Sequence, residues 1–155
     1  MDATAAGWAR AVATVGVVVA VDQGSKQLVL HSLSPGERVN VFYGLDLTRT
    51  TNTGVAFGAL RGAGLVVGAL IALALVLLIG YFAVHATMPR LWLPVGMLVG
   101  GALGNLIDRA RVGAVVDFID PIAWPAFNLA DASIVVGVLA LLYVVEGSGS
   151  RGARR

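Results

Sequence analysis

Two carboxylates stand out as residues that could do chemistry together. Asp117 lies in a short alternating segment, residues 114–120, and Asp131 follows Asn128 by three positions at the start of a long apolar run. The alternation puts Val115, Asp117 and Ile119 on one face of a strand. The three-residue spacing puts Asn128 and Asp131 on one face of a helix. If the fold brings the two acids together, like charges at short range raise the pKa of one of them. One then serves as a base that activates water, and the other as an acid that protonates a leaving amine. A proton relay or a structural pair of acids would use the same residues.

The remaining polar residues inside apolar stretches are few. Asp22 and Lys26 are four apart with the acid first, so they share a helical face, either as a neutralising pair that packs the helix or as part of a functional set. Ser25 beside Lys26 makes a poor serine–lysine pair, because adjacent helical residues point about 100° apart. Gly96, Gly100 and Gly104 form a row of small residues that Asp108 continues, a pattern that lets helix backbones approach closely. Asn105 and Arg109 occupy the neighbouring face. The chain has no cysteine, which excludes disulfides, thiolate metal sites and cysteine nucleophiles. His31 and His85 lack the spacing of a zinc protease, so neither a metal nor another cofactor is expected.

The elements that must position these groups read as membrane helices. Of 155 residues, 57% are hydrophobic and only 13% charged, against about 25% charged in soluble domains. Lipid is the expected solvent. A spanning helix needs about 20 mostly apolar residues, and the candidates are residues 11–30, 62–89, 91–107 and 126–145. The second carries no formal charge and is the clearest. A cleavable signal sequence, with Arg10 and Val18-x-Ala20, is the alternative for the first. After the turn signal Ser34-Pro35-Gly36, residues from Val39 alternate with a period of two, as a strand or hairpin on the outer membrane surface does. No internal repeat or second domain is visible. The expected layout is one membrane domain, residues 1–146, and a flexible basic cytoplasmic tail, residues 147–155, with Arg151, Arg154 and Arg155 facing lipid headgroups. Arginine counts on the two sides tie, and the loop at Arg90 together with the tail favours cytoplasmic termini. That topology puts both acids at the outer boundary.

Five stretches, in order, match a known family: Val21-Asp22-Gln23-Gly24-Ser25-Lys26, Asn52-Thr53-Gly54-Val55-Ala56-Phe57-Gly58, Gly104-Asn105-Leu106-Ile107-Asp108-Arg109, Val116-Asp117-Phe118-Ile119-Asp120 and Phe127-Asn128-Leu129-Ala130-Asp131. The chain resembles the lipoprotein signal peptidases, or signal peptidase II. The resemblance implies a membrane all-α fold of four transmembrane helices with a small extracytoplasmic β-like cradle. It implies a multi-pass protein of the bacterial cell membrane with both termini cytoplasmic and the site toward the outer leaflet. The implied activity is an aspartic endopeptidase that removes the signal peptide from prolipoproteins, on the N-terminal side of the diacylglyceryl-modified cysteine. Its partners would be those substrates and membrane lipids, without nucleic acid or metal. The family's catalytic dyad falls on Asp117 and Asp131, and its substrate groove on Asn52, Gly54, Asn105, Arg109 and Asn128, with Asp22, Lys26 and Asp108 as supporting polar residues. Val55 stands where alanine is common, which puts little in doubt.

Plainer roles exist for several of these residues. Arg109 could simply pair with Asp108 or Asp120, Asn52 with Gly54 could be only a turn, and Asp120, opposite Asp117, reads as a solvated loop acid. Two other functions compete. A proton-coupled four-span transporter would use Asp22, Lys26, Asp108 and Asp131 as a relay, but it needs polar groups across the full membrane depth. An assembly subunit packed through the glycine row would leave the two acids without a role.

Overall fold

The computed structural model describes residues 2–53 and 63–152. Four helices and three strands follow in the order α1 Ala3–Ser32, β1 Arg38–Phe42, β2 Leu45–Asn52, α2 Ala63–His85, α3 Trp92–Val112, β3 Val115–Pro121 and α4 Leu129–Gly152. Each of the four apolar stretches therefore carries a helix. Among the described residues, two segments, α1 and Leu129–Gly147 of α4, are long and apolar enough to cross a membrane, and the apolar part of α2, Ala69–His85, is shorter. The helix α4 continues through Gly152, across most of the stretch expected as a flexible tail.

The burial pattern of α1 is the reverse of a soluble helix. Its Asp22 and Lys26 are buried while Val12, Val17 and Leu28 are more than half exposed. A helix that hides its charges and shows its aliphatics is suited to lipid outside and polar partners inside. Asp2 caps its first turn, accepting from the Ala5 N–H at 2.6 Å.

The glycine row explains how α3 becomes the central helix. A Cβ on Gly100 would stand 2.8 Å from Val18 Cβ of α1, and one on Gly104 would stand 2.6 Å from Asp22 Oδ2. Only a residue without a side chain lets α1 lie this close. One position along, Gly101 admits the Ala130 backbone and Ile134 of α4 in the same way. The row is thus covered within the molecule by α1, as a structural seam should be. At the far end of the bundle, Ala11, Phe82, Ala86, Leu91 and Val95 form an apolar core against Trp8, which meets Phe82 edge-on at 4.8 Å.

The strands make one antiparallel sheet in the order β1-β2-β3. The alternation read from Val39 onward is interrupted at Tyr43 and Gly44, where Gly44 takes φ 83° and the chain turns back. The expected surface element is therefore a hairpin rather than one strand. Arg49 donates to the Leu33 carbonyl at 2.9 Å, tying β2 to the end of α1. Gly113, at φ 76°, ends α3 with its N–H on the Arg109 carbonyl, and β3 begins two residues later. In β3, Asp117 pairs in register with Thr50 of β2.

Candidate active site

The first turn of α4 is built by Asn128 and Asp131 acting on each other. The Asp131 N–H donates to Asn128 Oδ1 at 3.0 Å, and the Asn128 N–H donates to Asp131 Oδ2 at 3.3 Å. This is a reciprocal capping box, which satisfies two orphan donors at the helix start. Asp131 sits half-buried at the positive end of α4, where a negative charge is favoured. Its other oxygen, Oδ1, accepts from Asn105 Nδ2 of α3 at 2.8 Å.

Asp117 reaches the same place from β3 and is almost fully buried. Asn128 Nδ2 donates to its Oδ1 at 2.7 Å, and the Asn52 side chain at the end of β2 adds a second hydrogen bond. Asn128 therefore touches both acids, one with its side-chain nitrogen and the other through the capping box. Burial pushes the Asp117 carboxyl above its ordinary value, and the charge of Asp131 pushes the same way. The hydrogen bonds from Asn52 and Asn128 and the charge of Lys26 oppose the shift without cancelling it.

Behind the acids lies a buried cluster from α1 and α3. Lys26 Nζ contacts Asp22 Oδ2 and Asp108 Oδ2, each at 2.8 Å, and donates to Asn105 Oδ1 at 3.2 Å. Gln23 Nε2 spans the same gap, donating to Asp108 Oδ1 at 2.8 Å and to the Gly104 carbonyl at 3.1 Å. Gln23 belongs to the first matched stretch, yet spacing gave it no role. Neighbouring helical residues do not face one another, but close packing at Gly104 brings α3 within its reach.

Asn52, Asn105, Asn128, Asp117 and Asp131 thus form one continuous hydrogen-bonded group. Arg109 lies at its edge: the side chain is exposed and its one described hydrogen bond is a long one, 3.4 Å, to the Asn105 carbonyl of its own helix. Neither acid considered as its partner is engaged with it among the described residues, since Asp108 pairs with Lys26 and Asp120 with Arg38 at 2.7 Å. Asp120 is consequently a half-buried, ion-paired strand residue and not a solvated loop acid, because β3 continues past it to Pro121. Gly54, with Val55 to Gly58 of the same motif, lies outside the described residues. Among the described residues no group of three His, Asp or Glu side chains could hold a metal ion.

A model of the family described as signal peptidase (SPase) II matches residues 14–145. The chain belongs to that family. Similar lipoprotein signal peptidases include one from Moorella thermoacetica, 43% identical over 82% of this chain and 86% of its own length. Another, from Pelotomaculum thermopropionicum, is 38% identical over 91% of this chain and 94% of its own. A solved bacterial membrane enzyme superposes with a TM-score of 0.79 at 30% identity, covering 91% of this chain and 90% of that one. Membership in the signal peptidase II family makes this an aspartic-type peptidase. Together with the membrane-enzyme neighbour and the apolar helices, it makes the chain a membrane-integral bacterial protein. All of the site residues named above lie within the span that the signal peptidase II model matches.

Proposed function

We propose that this chain cleaves the signal peptide from bacterial prolipoproteins on the N-terminal side of the diacylglyceryl-modified cysteine, using Asp117 and Asp131 as its catalytic dyad. The observation that carries this reading is Asn128, one side chain hydrogen-bonded to Asp117 while its helix cap holds Asp131. The relatives named lipoprotein signal peptidase supply the substrate class.

In this reading Asp131 is the base. Both its oxygens accept N–H donors and it sits at a helix N-terminus, an environment suited to a carboxylate. It takes a proton from water as the oxygen bonds to the scissile carbonyl carbon. Asp117, whose carboxyl burial and the neighbouring charge push above its ordinary value, acts as the acid and gives a proton to the departing nitrogen as the carbon–nitrogen bond breaks. The exposed Arg109 offers a fork of donors to substrate backbone carbonyls, and Asn52 and Gly54 are assigned with it to substrate binding. Lysine at 109 keeps the charge and loses the fork, so Arg109→Lys is expected to lose much of the activity while remaining folded.

All four helices span the bilayer in this reading, with cytoplasmic termini, a basic tail at residues 147–155, and a site open to the outer leaflet, where a lipid-anchored substrate arrives sideways. Incubating purified protein with a diacylated prolipoprotein tests the activity by mass. Loss of the signal-peptide mass is expected, and an unchanged substrate would overturn the reading.

A further inference from the structure

Among the described residues, each acid of the buried cluster behind the dyad accepts a hydrogen bond from a backbone N–H beyond the cluster. Asp22 Oδ1 accepts the backbone N–H of Ala130 at 2.9 Å, and Asp108 Oδ2 accepts the backbone N–H of Val116 at 3.1 Å. Ala130 immediately precedes Asp131, and Val116 immediately precedes Asp117. The two acids therefore grip the chain one residue ahead of each dyad aspartate, from α1 and from α3.

Lys26 joins the two grips. Its ammonium has three protons and three acceptors around it, Asp22, Asp108 and Asn105, and the residue is 1% exposed. Lysine has no acceptor, so it dictates which end of the Asn105 amide faces it. The Asn105 oxygen turns to Lys26 and to Asn128 Nδ2 at 3.1 Å, leaving the nitrogen aimed at Asp131. Gln23 closes the cluster with donations to Asp108 and, at 3.2 Å, to Asp22.

We infer that Asp22, Lys26 and Asp108 are positioning residues for the reaction: a buried clamp that sets the spacing of Asp117 and Asp131 through the Val116 and Ala130 amides and orients Asn105 toward Asp131. A buried ion cluster is poor evidence for stability, since well-packed apolar residues of similar volume often serve as well or better. Holding two reacting groups in register is a task such packing cannot perform, because aliphatic contacts do not fix direction. A displacement of about 1 Å can cost on the order of 10²-fold in rate.

The inference rests on the dyad reading, so the experiment includes Asp117→Asn and Asp131→Asn. Steady-state cleavage of a diacylated prolipoprotein would be measured for Lys26→Met, Lys26→Gln and Asp108→Asn in detergent, well below each variant's unfolding temperature. For Lys26→Met, kcat is expected to fall about tenfold or more with a much smaller change in KM, because the clamp acts mainly on the spacing of the dyad. Lys26→Gln, which can still donate to an acid or to Asn105, should recover part of that kcat although methionine suits an apolar site better. If Lys26→Met does not fold, Asp108→Asn keeps the shape and must show the same split. Wild-type kcat in the clamp variants, or Met matching Gln, overturns the clamp while leaving the dyad intact. Activity in the Asp117 or Asp131 variants overturns the dyad itself.

Discussion

At one end of the bundle α1 and α3 meet through Asp22, Lys26, Asn105 and Asp108; at the other, α1, α2 and α3 meet through Trp8, Ala11, Phe82, Leu91 and Val95. The first contact is directional. Each oxygen and ammonium proton has an assigned partner, so the geometry has few alternatives. The second depends on shape and volume, which several arrangements of aliphatic groups can supply. The same helices thus serve two purposes along their length, accuracy near the acids and cohesion away from them. This division makes a claim about mutants: damage at the polar end should appear in the rate, and damage at the apolar end in the stability.

The largest effect expected is at the acids. Asp117→Asn and Asp131→Asn should each abolish measurable cleavage, a loss of about 10²-fold or more, with the fold retained. The double variant should be scarcely worse than either single one, as for groups acting as a unit. A single variant that processed prolipoprotein near the wild-type rate would remove that aspartate from the mechanism. Phe82→Ala sharpens the contrast from the other side. It should cost about 3–5 kcal/mol while the folded fraction keeps its kcat, read by thermal melts in detergent alongside turnover. A matching drop in kcat would show that the two ends are not separable.

Gly100 lies between the two regions, and Gly100→Leu should push α1 away by overpacking, at a cost of about 1–3 kcal/mol or more. Unchanged thermal stability in that variant would mean the glycine face meets lipid. The smallest effect concerns pH. Because the folded-state pKa of Asp117 is raised above its ordinary 3.8, the folded protein holds this proton more tightly than the unfolded chain. Its contribution to stability therefore declines as pH rises from 3.8 through the raised value. Asp117→Asn should accordingly melt higher than wild type at neutral pH, with the difference shrinking toward acid pH. A gap that widened on acidification would contradict the assigned direction.

The elements that carry the two acids were legible from local periodicity, while the assignment of the acids as a dyad and of the groove residues came from the family resemblance. The alternation around Asp117 and the three-residue step from Asn128 to Asp131 are properties of a strand and a helix, and both elements formed as read. The alternation allowed a strand or a hairpin, and the place of the turn, at Tyr43 and Gly44, was hidden, since apolar residues flank it without a strong turn dipeptide. Partners across elements were also hidden. Spacing could put Asp22 and Lys26 on one face, but not that Asp108 would join them or that Arg38 would take Asp120. The reach of Gln23 follows from how near α1 comes to Gly104, a tertiary fact that no periodicity encodes.

The spacing of Asp22 and Lys26 also bears on how charge is carried into the membrane. Because they pair within α1, this helix brings its own counterion. Its apolar stretch, residues 11–30, therefore carries no net charge into the bilayer, with Arg10 standing just outside it. Asp108 pairs with Lys26 of α1, although Arg111 lies three residues along its own helix. In the folded chain the first helix thus matches its own acid, whereas the acid of the third is matched across the contact between the two helices.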